Sequence, residues 1–319
     1  MDLQILITNL TNPTLLYFFL GITAIIVKSD LEIPPTSMRF ISLYLLFAIG
    51  FKGGQELTHS PIDSEILLSL LFAILLAFFI PLFTFFILRW KFSISDSAAV
   101  AAAYGSVSAV TFVACINFLE SQSIPFGGHM VAVMALMESP AIIMGFILLM
   151  KFDSESSADR SLGYIFKHSI TNGSVLMILG SLVIGLVSDS EAAAGIEPFT
   201  NDIFKGFLAI YLLDMGMLTA RRFKAFTKYG IFAFAFSILI PMANGIAVSF
   251  ASFLITDSVG NRLIFAILAA SASYIAVPAA MRIAAPKADP GLYIPMALGV
   301  TFPFNITLGM PLYYYFITL

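Results

Sequence analysis

The sequence predicts an all-α polytopic membrane protein: ten transmembrane helices in a 5+5 inverted repeat, with broken, crossing helices in the fourth and ninth positions. Three observations carry that prediction. Of 319 residues, 59% are hydrophobic and only 11% charged, with a mean hydropathy of +0.96, far from the balance of a water-soluble domain. The apolar residues gather into ten long runs, and the second half of the chain repeats features of the first in the same order. At roughly 20 residues per span, ten spans use about 200 residues and leave only short loops, with no room for an extramembrane domain. A net charge of −3 gives no reason to expect a nucleic-acid partner. The single cysteine, Cys115, excludes an internal disulfide framework or a cysteine-based zinc site and reads as a small apolar helix residue.

The runs fall at about 14–28, 37–53, 66–90, 97–119, 128–151, 168–188, 202–220, 228–256, 262–284 and 291–317. The first lacks a basic leader and a small-residue cleavage site, so it is expected to be a retained helix. Of the 16 Lys and Arg residues, only Lys52, Lys205 and Arg262 fall at even-numbered loops. The positive-inside rule then makes the odd loops cytoplasmic and leaves both termini outside. The polar stretch KFDSESSADRSLGYIFK, from Lys151 to Lys167, divides the chain into a first repeat at 1–151, a cytoplasmic linker at 152–167 and a second repeat at 168–319.

The halves resemble each other segment by segment. LLFAILLAFFIPLF with Pro81 matches FAFAFSILIPMA with Pro241, and MESPAIIMG with Pro140 matches VTFPFNITLG with Pro303. The small-residue runs AVAAAYGSVSAV and ILAASASYIAVP lie between the members of each pair. Five spans per half is an odd number, so the second copy crosses in the opposite sense, as in many secondary transporters.

Spans four and nine carry the candidate chemistry. Gly105, Ser106, Ser108 and Thr111 sit mid-membrane in one, and Ser271, Ser273, Tyr274 and Pro278 at the equivalent depth in the other. Small residues at these places suit close helix packing. They also suit two broken helices whose second halves begin at the midplane, where free N–H groups attract an anion without a buried Arg or Lys. Glu138 lies about nine residues into span five, roughly 14 Å deep in a core about 30 Å thick. A carboxylate there, with Thr301 and Asn305 from the matching region of the second repeat, suits a desolvated Na⁺ or a transported proton; a hydrogen-bonded structural carboxyl is the alternative. Asp214 reads equally as a site residue or as a snorkelled partner of Arg221 and Arg222, and Lys52 and Glu56 read as interface anchors. His59, His129 and His168 stand near span ends without metal-ligand spacing, no histidine is deep enough to serve a catalytic triad, and no P-loop motif occurs. No resident metal site and no enzyme activity are therefore expected.

GSVSAVTFVACINFLESQSIPF and SASYIAVPAAMRIAAPKADP resemble the cyanobacterial sodium-dependent bicarbonate transporters, the SbtA family, and their relatives in other bacteria. The resemblance runs in order over essentially the whole chain. It implies a mobile core of spans 3–5 and 8–10 that moves like an elevator against a gate of spans 1, 2, 6 and 7, commonly as a homotrimer in the bacterial inner membrane. It places the anion on Gly105, Ser106, Val107, Ser108 and Thr111 together with Ser271, Ser273 and their neighbour Tyr274, and it places Glu138 where the family has an acidic residue. It implies Na⁺ as the coupling ion and a small PII-like regulator as a possible cytoplasmic partner. Where the cyanobacterial span-nine pattern is Ser-Ser-Ser-Asp-Ile-Ser-Gly-Pro, this chain has Ser271, Ala272, Ser273, Tyr274, Ile275, Ala276, Val277 and Pro278. A tyrosine hydroxyl does not replace a carboxylate's charge, so Na⁺ would lean on Glu138 and backbone oxygens. The expected function is Na⁺-dependent symport of bicarbonate or a similar monoanion; a proton-coupled or exchange carrier, and a non-transporting membrane sensor, are the alternatives.

Overall fold

The computed structural model of the chain describes residues 3–58, 63–153, 171 and 173–319. The linker expected at 152–167 lies, beyond Asp153, outside the described residues, as do His59 and His168. The described regular structure is entirely helical: α1 Leu3–Leu10, α2 Pro13–Ile26, α3 Pro35–Thr58, α4 Ser64–Leu88, α5 Ile94–Gly105, α6 Ala109–Ser121 and α7 His129–Phe152 in the first half. The second half holds α8 Gly173–Val187, the short α9 Ser190–Ala194, α10 Phe204–Phe226, α11 Gly230–Ala251, α12 Val259–Ala270, α13 Ala276–Ala284 and a final helix α14, Pro290–Ile317. Six described segments are long and apolar enough to cross a membrane: Ser64–Leu88, Ile94–Ser121, His129–Phe152, Pro198–Phe223, Gly230–Leu254 and Pro290–Ile317. Pro13–Ile26, Gly173–Val187 and Val259–Ala270 are apolar but shorter.

Local sequence explains where these helices begin. Asn12, Asp63, Ser93, Ser258 and Asp289 each accept a backbone N–H of the following turn on a side-chain oxygen, capping α2, α4, α5, α12 and α14. Pro13 and Pro290 occupy first-turn positions, where a missing N–H costs nothing. On α4, Leu67, Leu71, Leu75, Phe79, Leu82 and Phe86 are all exposed at spacings of three and four. Such a continuous apolar stripe is a liability in water and the expected outer face in lipid.

The helices pack as two groups. In one, α2 lies along α10 and α3 along α8; in the other, α4, α5 and α7 pack together, as do α11, α12 and α14. The first group is joined backbone to backbone through glycines. A Cβ on Gly21 would fall 2.0 Å from the carbonyl oxygen of Leu213, and one on Gly216 2.0 Å from that of Phe18. The same exchange joins the other pair, where Gly54 meets the Leu182 oxygen at 2.1 Å and Gly185 the Phe51 oxygen at 2.2 Å. No side chain larger than hydrogen fits at these four positions, which is how small residues let membrane helices approach.

Candidate functional site

Two interruptions of the helical backbone face each other inside the second group. After Gly105 the chain leaves the helix at Ser106 (φ −82, ψ 172) and re-enters at Ala109; after Ala270 it leaves at Ser271 (φ −82, ψ 169) and re-enters at Ala276. In the interrupted Ile94–Ser121 segment, 94% of an 18-residue stretch is buried. Shielding of that kind is the condition under which non-helical backbone is tolerated at membrane depth. Gly105 is required by packing: a Cβ there would lie 2.1 Å from Cγ and 2.4 Å from Cδ of Pro81, on the proline-bearing helix α4.

The breaks are stitched together. The Ser108 N–H donates to Ser271 Oγ at 3.1 Å, and the Ser273 N–H donates to the Ala103 carbonyl at 2.8 Å. Ser271 Oγ in turn donates to the Leu268 carbonyl at 2.9 Å. Ser108 Oγ accepts from the Thr111 N–H at 3.2 Å, and Ser273 Oγ from the Val277 N–H at 3.4 Å, so each hydroxyl caps the half-helix that follows it. Several amides that the sequence leaves free for an anion therefore have internal acceptors. Ser106 differs: its Oγ is buried and has no hydrogen-bond partner.

Beside the crossing lies a cavity of about 30 Å³, walled by Val107, Ser108, Ser273, Tyr274 and Glu138 of the expected set. That volume holds about one or two waters. The wall is completed by Ala109, Val110, Ile275 and Ala276, by Met134 of α7, and by Ser42, Leu46 and Ser174 from α3 and α8 of the other helix group. The first N–H groups of a helix have no intrahelical acceptor, so these half-helix starts present backbone donors and the positive ends of two dipoles. The sequence-based set left out four apolar residues of the wall, Ala109, Val110, Ile275 and Ala276, although their place at the start of each second half-helix is the signal that locates them. Ser42 and Ser174 carry no local signal.

Glu138 is 7% exposed in α7, and no ion pair of the described residues involves it. Gly105, Ser106, Thr111 and Ser271 build the crossing without lining the cavity. Thr301 and Asn305 stand apart from Glu138's cavity as well. Thr301 Oγ1 donates to the Ser237 carbonyl at 2.7 Å and lies 2.7 Å from the Tyr104 hydroxyl. Asn305 Nδ2 donates to the Ala270 carbonyl at 2.8 Å, and its Oδ1 accepts from Tyr313 at 3.3 Å. The Tyr274 hydroxyl donates to Met215 Sδ at 3.7 Å, across to α10. Asp214 is close enough to Arg221, Tyr211 and Tyr274 to act on each electrostatically.

An all-helical protein with six segments long and apolar enough to cross a membrane, and a small cavity at the crossing of two interrupted helices, has the build of a multi-pass membrane transporter. The model of the Na⁺-dependent bicarbonate transporter superfamily matches residues 13–318, and the chain belongs to that family. A search of curated proteins found no match.

Proposed function

We propose that the protein is a secondary transporter that uses a Na⁺ gradient to take up bicarbonate or a similar small monoanion. The observation that carries the reading is the cavity at the crossing, where two half-helix starts, two serine hydroxyls and the Glu138 carboxyl share one wall. A monoanion there meets backbone donors and helix dipoles with no buried Arg or Lys needed, and Glu138 supplies the negative charge for Na⁺. On this reading Thr301 and Asn305 hold the crossing in shape rather than touch the cation, because their polar atoms are spent on main-chain oxygens and tyrosine hydroxyls.

The ten-span 5+5 inverted repeat belongs to the same proposal. Its support is geometric: α5 and α12 have the same length of 12 residues, begin with Ser93 and Ser258 capping Asp96 and Asn261, and end at serines with matching dihedral angles. The reciprocal glycine contacts also map onto each other, α2 on α10 as α8 on α3. The α4, α5, α7, α11, α12 and α14 group would be the moving core and α2, α3, α8 and α10 the gate. Since the cavity wall is shared by both, sliding one against the other exposes it to either side in turn. Both termini would lie outside, and the assembly would be a homotrimer in a bacterial inner membrane.

The test is uptake of ¹⁴C-bicarbonate into proteoliposomes with and without an inward Na⁺ gradient. Accumulation that requires the gradient is the expected result; no uptake by folded protein would overturn bicarbonate as cargo. A proton-coupled carrier is the second reading, favoured by the isolation of Glu138 from any basic partner among the described residues. Uptake that follows a pH gradient and ignores replacement of Na⁺ by choline would select it.

A further inference from the structure

A cavity of about 180 Å³ opens between α3, α6 and the start of α10, at the face expected outside. Its wall carries Lys52 and Lys205, two of the three basic residues that depart from the cytoplasmic bias of the rest. Both converge on one carboxylate. Lys52 Nζ is 2.8 Å from Glu120 Oε1, and Lys205 Nζ is 3.6 Å from Glu120 Oε2. Lys52 belongs to α3 and Lys205 to α10, in the gate group, whereas Glu120 ends α6, the half-helix whose first turn lines the transport cavity.

We infer that Glu120 is a conformation-setting residue for transport: the Lys52–Glu120–Lys205 bridge latches the half-helix α6 to the gate and biases the carrier toward the arrangement seen here. The contact has little else to hold it. Helices α3 and α6 touch sparsely. The Lys52, Lys205 and Glu120 side chains are 39%, 60% and 27% exposed, so solvent replaces each partner when the bridge parts. Glu56 and Asp202 share the wall and give the cluster a net negative charge, which argues for a latch over an anion-capturing funnel.

This inference rests on the two-group movement of the proposed function, and its test separates the two. Spin labels at Val187→Cys on α8 and Leu254→Cys beyond α11, both exposed, report the separation of the groups in the full-length protein, with buried Cys115 left in place. Glu120→Gln should change the ratio of the two distance populations about 2- to 10-fold, the range that exposed ion pairs allow. Lys52→Gln/Lys205→Gln should shift it in the same direction, and adding Glu120→Gln to that pair should shift it no further. Raising choline chloride should move the wild type toward Glu120→Gln and leave that variant unmoved. Unchanged distances in Glu120→Gln, or fully additive shifts in the triple variant, would overturn the latch even where Na⁺-driven uptake is intact. Conversely, a shift that meets these expectations in protein that moves no bicarbonate would keep the latch and remove the cargo.

Discussion

Gly105→Ala isolates the packing of the crossing from its chemistry, because it adds one methyl and no polar group. That methyl would sit 2.1 Å from Pro81 Cγ and 2.4 Å from Cδ. Carbon atoms rest at about 3.5 Å or more, so the break or helix α4 must give by about 1.4 Å. A proline ring inside a helix has no rotamer by which to retreat, and the strain passes to the backbone. Overpacking of this kind costs about 1–3 kcal/mol, which lowers the melting temperature by about 2–10 °C. The functional loss should be larger than the stability loss. A shift of that size breaks the 3.1 Å bond from Ser108 N–H to Ser271 Oγ and displaces the donors of α6; misplacement by about 1 Å at a working site costs about 100-fold in rate. Gly180→Ala is the control, since a Cβ there meets nothing within 4 Å. Both proteins would be reconstituted and compared by initial uptake rate and thermal melting. Equal rates and equal melting in the two variants would refute the claim that the crossing is sealed against α4.

Three further outcomes follow from the same geometry. Glu138→Gln keeps shape and removes charge, so it should abolish Na⁺-stimulated uptake while the protein stays folded by size-exclusion chromatography; full activity would end the cation role. In the relay Tyr104 to Thr301 to the Ser237 carbonyl, Thr301 spends its proton on Ser237, which makes Tyr104 the donor to Thr301. Tyr104→Phe should cost about 1 kcal/mol, and Thr301→Val, which breaks both bonds, about twice that; equal melting of the two variants would contradict the relay. At the loop before α14, the Tyr229 hydroxyl, the Gly291 N–H and Lys228 hold the Asp289 carboxyl below its ordinary range. A depressed carboxyl stabilises the folded state above its unfolded pKa, about 3.9. The melting difference between wild type and Asp289→Asn should therefore be constant from about pH 8 to pH 5 and close as the pH falls below that unfolded value; a difference that grows in acid would contradict the sign.

How far the sequence could be read depended on dimension. Order along the chain was legible, because apolar runs, internal prolines and the serine-rich breaks are one-dimensional signals, whereas α5 and α12, capped by Ser93 and Ser258, begin three residues before the apolar runs at 97 and 262. The placement of an ionisable residue inside a span was legible as well, and that residue, Glu138, lines the cavity. Direction around a helix was not. Thr301 and Asn305 come from the region of the second half that matches the Glu138 segment, yet they lie in a helix whose stretches Pro295–Thr301 and Asn305–Gly309 are wound as π turns. A π turn changes the angle between successive side chains, so phase counted at 3.6 residues per turn fails beyond it. Ser42 and Ser174 were invisible for another reason, since they reach the cavity only through the packing of α3 and α8.

The two kinds of helix contact assign different work to the two groups. Where glycines let backbones touch, as between α2 and α10 or between α3 and α8, movement would drive a carbonyl oxygen into the neighbouring chain, and the group keeps its shape. Across the boundary, Gly53 lies against Gly128, Thr219 Oγ1 donates to the Leu298 carbonyl at 3.0 Å, and Lys52 and Lys205 reach Glu120. Each polar contact there can be exchanged for water or for a partner one turn along at a cost of about 1 kcal/mol, whereas opening an interdigitated apolar core costs several. The cavity at the crossing lies on this boundary, with α6 and α13 on one side and α3 and α8 on the other.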